Sequence, residues 1–265
     1  MFFVAGLIGG DRHDSVPDDT NRKRFNMSLE NKRVVLIGGT AGFGLATAQA
    51  VAAAGGHVVV VSSSSANIAS ALAELPDGAQ GEMVDVREEA QVKALFDRIG
   101  AFDHLVYTAG EALTLAPLLD TDTAVARQFF EIRFWGAYTA VKYATPHIRP
   151  GGSIVLSSGG SSQRPGAGWA VASSALGAME ALARALAVEL APIRVNVVRP
   201  GMVATDLWQE FPPEVREDLF RTTGARLPVG RIGESADVAR TYVHMMEQEY
   251  ATGTIVTVDG GGLLV

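Results

Sequence analysis

Val34-Val35-Leu36-Ile37-Gly38-Gly39-Thr40-Ala41-Gly42-Phe43-Gly44 runs straight into Leu45-Ala46-Thr47-Ala48, and this stretch decides how the rest of the chain is read. A short aliphatic, largely β-branched run, a glycine-rich turn and an alanine-rich run, in that order, describe a strand, a tight turn and a helix. Gly38 permits the turn, Gly42 lets the backbone approach a pyrophosphate, and Gly44 lets helix and strand pack closely. The helix then offers free N–H groups and the positive end of its dipole to a phosphate held over the turn. Thr40 and Phe43, between these glycines, are placed with them as ligand-facing positions.

Outward from this unit the pattern repeats. Segments at 33–37, 57–62, 81–84, 104–107, 153–157, 194–198 and 254–258 have strand character and alternate with helically periodic segments near 43–54, 66–75, 88–99, 121–145, 169–190 and 235–248. This alternation predicts a single α/β domain over 27–265, a Rossmann-type doubly wound, seven-stranded parallel sheet with helices on both faces. Val58-Val59-Val60-Val61, apolar at every position, predicts a strand covered on both sides. Residues 203–233 break the alternation with Pro212, Pro213, Pro228 and several glycines, and read as an insertion that covers the ligand crevice. Residues 1–26 read as a flexible extension, because Met27-Ser28-Leu29 looks like a conventional start just before the first strand.

The chain of 265 residues is 48% hydrophobic and 19% charged, a composition that can fill a large core. Its formal charge of −7 and the lack of any Lys/Arg cluster argue against nucleic acid and against a membrane surface, leaving small molecules as partners and a cytoplasmic location as the expectation. Without cysteine there can be no disulfide, thiolate metal site or cysteine nucleophile. The five histidines are scattered, none spaced to put two imidazoles on one metal, so no metal is expected.

The spacing Gly38-x3-Gly42-x-Gly44 resembles that of the short-chain dehydrogenase/reductase family, and the resemblance extends over nearly all of 30–262. Thr108-Ala109-Gly110 is similar to the family's Asn-Ala-Gly turn. Pro200-Gly201-x3-Thr205, Pro228-x-Gly230-Arg231-x-Gly233, Asp237-Val238-Ala239 and Gly253-x4-Val258-Asp259-Gly260-Gly261 complete the pattern. The resemblance implies a dinucleotide held by the glycine turn, by Asp85 and Val86 at the adenine, by Ala109 and Gly110, and by Pro200, Gly201, Val203 and Thr205 at the nicotinamide. At the end of the second strand, Ser62-Ser63-Ser64-Ser65 stands where an acidic residue would bind the 2′-hydroxyl of NAD. Hydroxyls accept a 2′-phosphate that a carboxylate would repel, which favours NADP(H) while leaving NAD(H) open.

Aligned on Glu180-Ala181-Leu182-Ala183-Arg184, the chain departs from the family where its chemistry is done. Ala172 falls at the catalytic tyrosine, Leu176 at the lysine, Gly159 at the serine and Arg133 at the asparagine. Tyr138-x3-Lys142 has the tyrosine–lysine spacing but precedes the fifth strand, on a helix the family uses in its dimer interface. The pocket rim is expected to carry Ser157, Ser158, Ser161, Arg164, Trp169 and Arg133, with Arg133, Ser158 and Trp169 as the candidate catalytic set. Arg133 either orients an anionic group or forms a structural ion pair. Trp169 either stacks on a flat substrate or sits in the core; Ser158 is either the working hydroxyl or a satisfied strand-end residue.

Three functions remain open. A reductase of iminium substrates would need no proton from a tyrosine; a carbonyl reductase would take its proton elsewhere; a non-catalytic NADP(H)-binding module or sensor would need neither. The family resemblance and the alanine-rich helices near 121–145 and 169–190 imply a homodimer or homotetramer.

Overall fold

The computed structural model describes residues 29–113, 115–209 and 211–265. The extension read at 1–26, with Met27 after it, lies outside the described residues. The elements follow in the order β1 (Arg33–Ile37), α1 (Gly42–Ala53), β2 (His57–Ser62), α2 (Ser65–Ala73), β3 (Gln80–Met83), α3 (Glu89–Ile99), β4 (Phe102–Tyr107), α4 (Thr123–Gln128), α5 (Ala137–Ala144), β5 (Ile148–Ser157), α6 (Ala170–Glu189), β6 (Arg194–Pro200), β7 (Val203–Ala204), α7 (Pro213–Arg226), β8 (Gly233–Glu234), α8 (Ser235–Glu247) and β9 (Ile255–Val258). Seven strands form one sheet in the order β3-β2-β1-β4-β5-β6-β9, every pairing parallel. The expected α/β architecture is therefore present.

Each central strand is apolar at successive positions because its side chains alternate between two buried faces. On β1, Val35 and Ile37 join Phe96, Phe102, Val141, Met179 and Ala183 on the face covered by α3, α5 and α6. Val34 and Leu36 join Ala48, Val51, Tyr242 and Met245 on the face covered by α1 and α8. Helix α6 is long and apolar enough to cross a bilayer by length and composition, yet Met179, Ala183 and Leu186 are buried in the first of these cores.

One expectation needs correction. The helix read at 121–145 is broken into α4, a π-helical turn at Glu131–Gly136, and α5. The break has local causes: Glu111 Oε1 accepts the Ile132 and Arg133 N–H groups, the Tyr107 hydroxyl donates to Ile132 O, and Gly136 lies so close to Tyr107 that a Cβ there would come within 2.5 Å of the hydroxyl. A π turn of this kind is often found at functional sites. The insertion at 203–233 carries elements of its own. Pro213 begins the 14-residue helix α7, as proline at a first helical position can, and β7 pairs with β8.

His104 gives the sheet a pH dependence. Its Nδ1 lies 2.8 Å from Ser153 Oγ across β4 and β5, and burial pushes its pKa down to about 4. An unfolded chain takes up that proton near pH ~6.5, so as pH falls from there toward the folded value the unfolded state binds protons that the folded state refuses. Stability is expected to drop across this window by about 2–3 kcal/mol. Denaturant melts of His104→Asn between the two pH values should show a flatter profile than the wild type; an unchanged slope would assign the effect to other groups.

Candidate active site

The strand order reverses between β1 and β4, and the carboxyl ends of these strands open a crevice of about 440 Å³. Gly38 N–H donates to Val61 O, while Thr108 and Ala109 N–H both donate to Ile37 O. The turn is packed so tightly that a Cβ on Gly38, where φ is +86°, would lie 2.5 Å from Ala109 N, and one on Gly44 would lie 2.1 Å from Gly38 O. Gly42 is different: its nearest neighbour would be the Thr205 methyl at 3.7 Å, so it faces open space across the crevice. No side chain caps the N-terminus of α1 and no acidic residue occupies its first turn. Its N–H groups are left for an anion.

Gly38, Thr40, Gly42, Phe43, Gly44, Ser62, Ser63, Asp85, Val86, Ala109, Gly110 and Thr205 all line this crevice. Four residues expected there do not, and two of these, Pro200 and Gly201, line the cavity beside it. Ser64 Oγ accepts from Asn67 N as the N-cap of α2, and Val203 is buried in the core with its carbonyl taken by the Trp208 indole. Arg87, which the sequence reading passed over, stands beside Asp85 with Nη2 2.5 Å from Oδ2 and holds that carboxyl below its ordinary range.

A second cavity of about 410 Å³ continues from the crevice, with Phe43, Arg133 and Leu207 on both linings. Pro200 and Gly201 border this room. Its walls are mostly apolar: Leu113, Phe129, Trp169, Leu176, Trp208 and Leu227. Gly159, Ala172, Leu176 and Arg133, the four positions singled out in the sequence, all line it, and among the described residues its lining holds no tyrosine, lysine, histidine or cysteine. Tyr138 is instead exposed beside Trp135, and Lys142 pairs with Glu89 on the surface.

Arg133 projects from the π turn. Its Nη2 donates to Glu111 O at 2.6 Å, its Nε lies 3.6 Å from Glu111 Oε2, and its guanidinium sits over the Phe129 ring. Burial pulls its pKa down from the usual guanidinium value, and the Glu111 charge opposes that shift. Nη1 makes no hydrogen bond among the described residues and belongs to a side chain facing both rooms. A Cβ on Gly110 would meet the guanidinium carbon at 2.6 Å, so this glycine makes space for the arginine. Glu111 was missed by the sequence reading. Its signal was an acidic residue directly after the glycine turn of β4.

Ser158 lines the cavity, but its hydroxyl is committed: it lies 2.8 Å from Glu180 Oε1 and 3.2 Å from Leu176 O. Glu180 also accepts from Ser162 Oγ and from Arg199 Nε and Nη2, forming a buried cluster that joins the β5–α6 turn to β6. Ser161 Oγ, by contrast, is buried on the cavity side without a hydrogen-bond partner among the described residues. Trp169 stands at the start of α6 against Phe129, Ala172 and Ala175, half-buried and forming part of the wall.

Gly44→Ala is expected to destabilise the domain by about 1–3 kcal/mol through overpacking and to weaken dinucleotide binding together with it. Calorimetric melts with and without cofactor would check both; a variant that melts and binds as the wild type would contradict the close packing at Gly38.

Residues 38–262 match the family model described as enoyl-(acyl carrier protein) reductase. The chain is 30% identical over 263 residues to the short-chain dehydrogenase/reductase fsr5 of Gibberella fujikuroi, covering 91% of this chain and 98% of the relative. Among solved structures it is similar to a small-chain dehydrogenase in complex with NADPH, with a TM-score of 0.78 and 32% identity over 89% of this chain and 100% of that one. It is also similar to the MalC reductase/Diels-Alderase of Malbranchea aurantiaca, with a TM-score of 0.84 and 28% identity over 91% and 100%.

Proposed function

Because this chain belongs to the short-chain dehydrogenase/reductase family, we propose that it is an NADP(H)-dependent oxidoreductase acting on a small organic C=O or C=N group, at a site rebuilt without tyrosine or lysine. One observation carries the reading: the dinucleotide crevice and the apolar cavity meet at Phe43, Arg133 and Leu207. A protein that only gripped a cofactor would have no use for such a second room at the reactive end of the crevice.

The chain's own groups fit the cofactor. The uncapped α1 N-terminus and Gly42 suit a pyrophosphate, and Ser62 and Ser63 suit a 2′-phosphate without a repelling carboxylate. A relative of similar fold holding NADPH supports the same choice. The bound nicotinamide would supply or accept hydride. Pro200 and Gly201 border the room at that end.

Arg133 stabilises negative charge that develops on a substrate oxygen, with Glu111 holding the guanidinium in place. It does not act as an acid, since a guanidinium keeps its proton at neutral pH. Ser161 Oγ, unpartnered on the wall, is free to hydrogen-bond the reacting group, whereas Ser158 supports the wall through Glu180. A C=N group that is already cationic needs no proton at all, which suits a cavity without an acid. Trp135 and Tyr138, both large and exposed on the π turn and α5, are surfaces a homo-oligomer would cover.

The test is stereospecific deuteride transfer from labelled NADPH, with NADH in parallel, to a panel of carbonyl and imine electrophiles. Transfer from one face supports the reading. Tight NADPH binding with no transfer to any electrophile would instead make the protein a binding module.

A further inference from the structure

The apolar cavity is electrically unlike the protein that contains it. The chain carries 29 acidic residues against 22 lysines and arginines, yet among the described residues the lining holds Arg133, Arg164 and Arg226 against the side chain of Asp259 and the terminal carboxylate of Val265. Asp259 is already committed, since its Oδ1 accepts Gly261 N–H at 2.9 Å and its Oδ2 accepts Leu263 N–H at 2.8 Å. Arg133 is balanced by Glu111. Arg164 gives one N–H to Gly262 O, Arg226 makes no hydrogen bond, and neither forms an ion pair among the described residues.

The bias is also visible on a single element. Helix α7 carries Glu214, Glu217 and Asp218 as well as Arg216, Arg221 and Arg226, but Thr223 and Arg226 are the residues it contributes to the cavity lining. Asp218 is turned to Arg221. A helix of mixed charge thus presents only a cation to this room. Arg226 and Arg164 are both exposed side chains, so they edge the cavity while its interior stays apolar. Two guanidiniums in no ion pair among the described residues, beside an apolar room, disfavour a lone cation and favour an anion tied to an apolar body.

We infer that the substrate is an apolar molecule bearing a carboxylate, its body against Trp169, Phe129 and Trp208 and its anion held at the cavity edge by Arg226 and Arg164. The inference rests on the reading of this cavity as the substrate room. Such a carboxylate sets which molecules enter and which end faces Arg133, and an anion in the same molecule would offset the charge of a C=N acceptor.

The probe pair is 1-pyrenebutyrate and its uncharged amide, titrated by fluorescence against the full chain saturated with NADP+. The wild type is expected to bind the acid at least about 10-fold more tightly than the amide. Arg226→Gln and Arg164→Gln each reduce that preference, and the double variant abolishes it while leaving the amide affinity unchanged. Both changes are on exposed side chains, and melting temperatures verify the fold. Equal binding of acid and amide by the wild type, or a preference that survives in the double variant, overturns the inference. Acid preference without deuteride transfer to any electrophile sinks only the oxidoreductase reading; transfer without acid preference sinks only this one.

Discussion

Arg133→Met is expected to lower kcat for hydride transfer to a carbonyl substrate by about 10²–10³-fold, the usual loss when one preorganised donor to a developing oxyanion is removed. The side chain is half-buried, faces both rooms, and keeps Nη1 without a hydrogen bond among the described residues. Methionine preserves most of the packing on Phe129 and beside Gly110 but carries no donor. The fold should survive, because Glu111 Oε1 retains the Ile132 and Arg133 backbone N–H groups when the side chain changes. Arg133→Lys keeps the charge but not the forked geometry and is expected to fall between the two. Steady-state kinetics beside NADPH titrations would separate the roles. A purely structural arginine would leave kcat intact and shift only the melting temperature.

Glu180→Leu is expected to be strongly destabilising. Its carboxylate is 4% exposed and receives Arg199, itself 10% exposed, at 2.7 Å, with Ser158 and Ser162 on the same acid. Burial pushes the Glu180 pKa up, but the Arg199, Ser162 and Ser158 hydrogen bonds outweigh it and hold the carboxyl below its ordinary value. Leucine leaves the guanidinium buried without a counter-ion, its Nη1 still donating to Thr257 Oγ1, a loss of about 3–5 kcal/mol. In a domain of this size that is a melting temperature lower by about 6–20 °C. Glu180→Leu combined with Arg199→Met should recover most of the loss, since an apolar pair of similar volume can replace a buried ion pair. A double variant as unstable as the single one would mean that the serines, not the arginine, depend on Glu180. The sign with pH is opposite to habit for a basic group: this contribution is present above the unfolded carboxyl pKa and is lost as pH falls through the lower folded value.

The strands and the glycine turn were legible in the sequence because each depends on local residues. Val58 to Val61 form a strand covered on both faces, and Gly38 and Gly44 leave no space for a Cβ. The four positions named by the gap-free alignment, Gly159, Ala172, Leu176 and Arg133, line one cavity. What failed was whatever depends on a partner distant in sequence. The π turn exists because Glu111 and Tyr107, on another strand end, take its backbone groups. Ser64 is a local exception: its hydroxyl accepts the N–H of Asn67, three residues on, and begins α2. Glu180 served only to anchor the alignment, and its tie to Arg199 spans 19 positions that no periodicity connects.

The contact between Gly159 and Leu176 couples two positions of the cavity wall. A Cβ at position 159 would lie 3.0 Å from Leu176 Cδ1, so a serine there obliges the leucine tip to shift by a few tenths of an ångström. A lysine at 176 would bring an ammonium to a mostly apolar wall. An engineer installing a hydroxyl and an amine in this room would have to change the two positions together.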